Sequence, residues 1–147
     1  MWGARSDVPV TRPTDEPGFR DIDLCGRWVN QNGSTLWIDA QFDGRFTGRF
    51  ASKKGRAARD KTYAVEGYVN GELASFAVNF RAADHDLASI TTFSARHARG
   101  ADGVERLHTV WILARQYEDE ARSKPTQVWN SFITNADVFE KRDESLD

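Results

Sequence analysis

Residues 43–52 read Asp-Gly-Arg-Phe-Thr-Gly-Arg-Phe-Ala-Ser, and their alternation decides the fold class. Asp43-Gly44 accepts the positive φ of a tight two-residue turn. After it, Phe46, Gly48, Phe50 and Ser52 fall on one face and Arg45, Thr47 and Arg49 on the other. A period of two belongs to a strand with one face inward and the other in water. Outward from this stretch the same rhythm recurs in short segments separated by Gly, Asn and Asp. The candidate strands lie near 26–30, 34–41, 44–52, 62–69, 73–81, 87–97, 104–116 and 131–140. Asn32-Gly33 and Asn70-Gly71 mark two further hairpins, so consecutive strands are neighbours in an up-and-down meander. Helical readings are poor: the central segments are rich in Thr, Val, Phe and Trp, and the best helical candidate, Glu118 to Arg122, is short. Eight antiparallel strands with no helix to cover an open face lose their edges by closing. The predicted fold is therefore all-β, an eight-stranded antiparallel up-and-down β-barrel whose interior admits side chains or one small ligand.

Composition agrees with one soluble domain. The 147 residues suffice for a single core, and the 29% charged and 39% hydrophobic shares are those of a globular chain. A net charge of -2, from Lys+Arg 20 against Asp+Glu 22, gives nucleic acid no general attraction. The longest apolar run, around Thr109 to Ala114, has the length of a strand, so membrane spanning is not expected. Cys25 is the single cysteine, which excludes an intrachain disulfide and a cysteine-rich metal site. His85, His97 and His108 are dispersed and suggest neither a metal triad nor a histidine-based nucleophile. Residues 1–22, with Pro9, Pro13 and Pro17, read as a flexible tail without an apolar secretory segment; 23–141 form the barrel domain and 142–147 a charged tail.

Sorting the strands by face gives a candidate cavity. Phe76, Val78 and Phe80 share one face of the fifth strand, and Leu87, Ser89, Thr91 and Phe93 one face of the sixth. Apolar and small hydroxyl residues mixed in this way suit an apolar wall carrying a few placed hydrogen-bonding groups. In the seventh strand Leu107, Thr109, Trp111 and Leu113 face inward, yet Val110 and Ile112 opposite them are also apolar. Phe132, Ala136 and Val138 join them outside if Asp137 points in. A strand apolar on both faces is normally covered on both. The expected cover is a second copy, giving a dimer or tetramer through strands six to eight, with the chain's own tails as the alternative.

Several stretches, in order and with matching spacing over about residues 25–141, resemble the avidin and streptavidin family. They are Gly26-Arg-Trp-Val-Asn-Gln-Asn-Gly-Ser34, Phe46-Thr-Gly-Arg-Phe50, Phe76-Ala-Val-Asn-Phe80, Thr91-Thr-Phe93, Thr109-Val-Trp-Ile-Leu113, and Trp129 followed by Asp137 and Phe139. The resemblance implies non-enzymatic binding of biotin at one end of the barrel, with biotin as ligand and no cofactor. Carried over by position, Asn30 and Ser34 would donate to the ureido oxygen, and Ser52 and Asp137 would accept from the ureido N–H groups. Thr91 would approach the thioether and Ser89 the valerate carboxylate. Phe80, Phe93, Trp111 and Leu113 would form the apolar wall, and Trp129 would reach into a neighbouring subunit's site. Phe50 stands where the family usually has a Tyr that completes the donors, and Phe80 where a Trp usually lines the site. The resemblance also implies a secreted or periplasmic setting, and a lid formed by the loop from Lys53 to Lys61, whose Lys53, Lys54, Arg56, Arg59 and Lys61 would attract a carboxylate or simply be solvated. An alternative is the same barrel binding, or less readily converting, a different small molecule in an intracellular pathway. Asp137 would be its one buried acid or base, without a matched partner, which argues against catalysis.

Overall fold

A computed structural model describes residues 20–52, 61–81, 88–116 and 131–143 of the chain. They form β1 (Gly26–Asn30), β2 (Thr35–Phe42), β3 (Arg45–Ala51), β4 (Tyr63–Asn70), β5 (Leu73–Phe80), β6 (Ser89–Arg99), β7 (Glu105–Arg115) and β8 (Phe132–Arg142). Each strand pairs antiparallel with the next, and β8 returns to β1 to close the barrel. The seam runs from Arg27 opposite Arg142 to Asn30 opposite Phe139, which carries β8 two residues beyond its expected end.

The hairpins differ in how they turn. At Asp43-Gly44 both residues have positive φ, 58° and 77°, as the sequence suggests. At the other two sites Gly33 and Gly71 adopt positive φ and their preceding asparagines do not. Gly71 opens the two-residue loop between Asn70 and Leu73, where only the first central residue needs that conformation. Gly33 instead follows a turn in which its N–H donates to Asn30 O at 3.0 Å. That arrangement leaves the Asn30 side chain free to face inward.

Alternation sorts the faces as expected: Phe46, Phe50, Phe76, Val78 and Phe93 are buried inside the barrel. A bulge in β2 between Ile38 and Ala40 bends the wall over β3. Gly48 tolerates this approach because a Cβ there would lie 1.9 Å from the Trp37 carbonyl oxygen.

One end of the barrel is closed. Leu24 and Trp28 are fully buried, and the Trp28 indole N–H donates to Leu24 O at 2.9 Å. Gln41 fastens this segment by accepting from the Leu24 N–H and donating to Ile22 O, both at 2.8 Å. Ile22 N–H in turn donates to Gly71 O at 3.0 Å. His97 faces inward at the same end, its ring edge-on to Trp28 and its Nε2 2.9 Å from Glu105. His108 faces outward and is exposed. Among the described residues no group of His, Cys, Asp and Glu is placed to hold a metal ion, and no helix is long and apolar enough to cross a membrane.

On the outer wall Arg106 donates to Asp102 at 2.8 Å and to Glu140 at 3.0 Å. The hydrogen bonds from Arg106 hold the Asp102 carboxyl down to about 2. Trp37 faces outward and is half-buried, with the Arg49 guanidinium 4.7 Å above its ring and Asp39 bound to that guanidinium. Val110, Ile112, Ile90 and Phe132 form an exposed apolar strip over β6–β8, with Val110 and Ile112 60% and 51% accessible.

Candidate ligand-binding site

The other end of the barrel opens into a cup of about 740 Å³. Its polar side is built where the β1–β2 hairpin meets β8. Asn30 is the last residue of β1, and its Oδ1 accepts the N–H groups of Asn32 at 3.0 Å and Ser34 at 2.9 Å. This local capping, for which Asn is well suited, fixes the amide and aims Nδ2 across the seam. There it donates to Asp137 Oδ2 at 3.2 Å. Asn30 and Ser34 are only 7% and 5% exposed, so the geometry is held from all sides. Asp137 is positioned from β7 as well, because Thr109 Oγ1 donates to its carbonyl oxygen at 2.9 Å.

The second carboxylate oxygen is held by Gln31, whose Nε2 donates to Asp137 Oδ1 at 2.8 Å. Gln31 Oε1 accepts the Val138 N–H at 3.0 Å, so one side chain clamps carboxylate and backbone together. Sequence reasoning passed over Gln31 because it lies beyond the end of β1, where alternation assigns no face. Asn32 and Asn135 also line the cup and were not anticipated, and Ala136, expected on the outer face, contributes to its rim as well. Asn135 follows the inward parity of Asp137 along β8 and was readable on that ground.

The apolar side is an aromatic lattice. Phe93 stacks on Phe76 at 4.6 Å between ring centres and meets Phe139 edge-on at 5.9 Å, so it joins the cup to the core. Trp111 leans on Phe93 at 6.5 Å, and its buried Nε1 has no hydrogen-bond partner among the described residues. Phe50 stands edge-on to Phe80 at 5.8 Å, and Tyr63, a residue outside the expected set, backs Phe80 at 4.9 Å. Phe50 and Phe80 therefore pack against one another at the wall of the cup. Ser52, Ser89, Thr91 and Leu113 complete the lining.

Of the residues expected at the site, all but one line this single cavity. The exception, Trp129, lies outside the described residues, as do Leu87, the segment from Glu118 to Arg122 and four of the five cations of the expected lid, Lys53, Lys54, Arg56 and Arg59. The cup thus presents amide and hydroxyl groups and one carboxylate at one side, and aromatic rings at the other. Such a surface orients a small polar ring and excludes water from its faces.

Among solved structures, apo shwanavidin shares 28% identity, with 81% of this chain and 100% of that chain covered at a TM-score of 0.63. A shwanavidin variant in complex with biotin shares 29% identity over 82% of this chain and 99% of that chain, at a TM-score of 0.62. Xenavidin shares 25% identity over 84% and 100%, at a TM-score of 0.65. The sequence model of the avidin family, whose members bind ligands rather than transform them, matches residues 19–142. That match spans all eight strands and every described residue of the cup, so the chain belongs to the avidin family.

Proposed function

We propose that the protein binds biotin, without altering it, in the cup at the open end of the barrel. The observation that carries this reading is the convergence of Asn30, Ser34, Ser52 and Asp137 on one cavity with an aromatic wall. A urea presents a strong acceptor flanked by two donors, and burying it unpaired costs several kcal/mol. Asn30 and Ser34 supply donors for the oxygen. Asp137, with one hydrogen bond already on each carboxylate oxygen, keeps lone pairs for a ureido N–H. The thioether ring and the acyl chain would lie against Phe93, Trp111 and Leu113. The biotin complex of a shwanavidin variant related at 29% identity supports the same assignment.

Phe50 in place of a hydroxyl-bearing residue leaves fewer donors for the ureido oxygen, a loss worth about 1 kcal/mol. This weakens the biotin complex without removing it. Titration calorimetry and thermal denaturation with added biotin test the assignment: binding heat and a raised Tm are expected, since a ligand of the folded state stabilises it by mass action. No heat and no shift would exclude biotin. Phe50 and Phe80 would then favour the second reading, a different small molecule, and mass spectrometry of what copurifies would identify its class.

The apolar strip over β6–β8 supports self-association into a dimer or tetramer. Sedimentation of Val110→Lys should show smaller particles than the parent protein. Equal mass for the two would reject that face as the interface.

A further inference from the structure

A groove of about 530 Å³ adjoins the cup over the rim between β5 and β7. The two share Ser89, which pairs across the sheet with Phe80 on one side and with Arg115 on the other. Arg81 directly follows Phe80, and Arg115 lies two residues beyond Leu113 on the same face of β7 by alternation. Arg81, with the opposite parity to Phe80, and Arg115 line the groove together with Asn79 and Gln116, and none of its described lining residues is acidic. Ile90, from the edge of the exposed apolar strip on the outer face, and Ala114 add apolar lining.

We propose that this groove is an anion subsite in which Arg81 and Arg115 receive the carboxylate at the end of the ligand's acyl tail, so that the protein prefers the free acid to its neutral amides. The proposal rests on the biotin reading of the cup, because it takes Ser89 as the point where the tail leaves. A carboxylate emerging there meets two cations presenting forked N–H donors, the geometry that binds carboxylates best. Each guanidinium has five donors, so an interaction that Arg115 already makes leaves others for a ligand. Hydrogen bonds from neutral hydroxyls or amides would discriminate far less between an acid and an amide, since an amide oxygen accepts them too.

Calorimetry with biotin and with biotinamide, on the full chain and on an Arg81→Gln, Arg115→Gln double variant, tests the subsite. The parent protein should bind the acid about tenfold more tightly than the amide, with the preference shrinking at high ionic strength. The double variant should lose the preference while binding the amide as the parent does, which also reports that it is folded. Equal affinity of the parent for both ligands, or a preference that survives in the double variant, overturns the subsite and leaves the biotin reading of the cup intact. Failure of the parent to bind either ligand overturns both.

Discussion

Removing the Gln31 side chain tests whether the carboxylate of the cup must be held in place to bind. In the structure Asp137 is gripped at Oδ1 by Gln31, 2.8 Å away, and at Oδ2 by Asn30, 3.2 Å away. Gln31→Ala leaves only the longer of the two bonds. The carboxylate then gains rotational freedom that binding must remove, at about 0.5–1 kcal/mol. The lost hydrogen bond to a charged group is partly replaced by water, because Gln31 is exposed. Together these terms weaken biotin by about 1 kcal/mol, roughly fivefold. Titration calorimetry on Gln31→Ala, Asp137→Ala and the double variant separates positioning from general damage. If Gln31 acts through Asp137, its removal should cost almost nothing once Asp137 is gone. Affinity within about twofold of the parent for the single variant, or an equal cost with and without Asp137, would refute the argument; the threshold is set by the usual accuracy of additivity.

Phe50→Tyr should tighten biotin by about 1 kcal/mol if its hydroxyl reaches the ureido oxygen, and unchanged or weaker affinity by calorimetry would contradict the donor account. Gly48→Ala should destabilise by about 3 kcal/mol or more in denaturant titration, because its Cβ would meet the Trp37 carbonyl at 1.9 Å, a backbone atom that cannot step aside. The Asp102 carboxyl has a depressed folded pKa, about 2 against an ordinary 3.8, so its contribution is complete above 3.8 and is lost as pH falls through about 2. Asp102→Asn should therefore lower Tm at neutral pH, with the gap closing across that acid range. A gap that persists below it would mean that the ion pair with Arg106 is not the cause.

The barrel was readable because its signals are local. The alternation of Phe46, Gly48 and Phe50 and the turn at Asp43-Gly44 each lie within a few residues, and the strand faces follow from parity. Parity also brought Ser89, Thr91 and Phe93 to the cup and turned Val110 and Ile112 outward. The assignment of ligand contacts came from family resemblance, since alternation says which side chains point in but not what they meet. Gln31 and Tyr63 were missed for different reasons. Gln31 acts from a turn, outside any strand period, on a carboxylate 106 residues away. Tyr63 has the inward parity of β4, but its service as backing for Phe80 depends on how neighbouring rings tilt, and ring tilt has no signature in sequence.

The placement of the polar groups ties ligand capture to closure of the fold. Asn30 and Gln31 belong to the first hairpin and Asp137 to the last strand, so the hydrogen bonds at the heart of the cup join residues 107 and 106 positions apart. They lie on the seam between β8 and β1, and β1 is the shortest strand, with five residues. This pairing between distant segments bears the largest loop-closure cost in the barrel, and its four register pairs, as few as those between β1 and β2, offset it least. The Asn30–Asp137–Gln31 bridge reinforces that seam with side chains, and a urea bound to Asn30 and Asp137 would span it again. Ligand and closure then favour the same pairing, so binding energy should concentrate on the seam that closes the barrel.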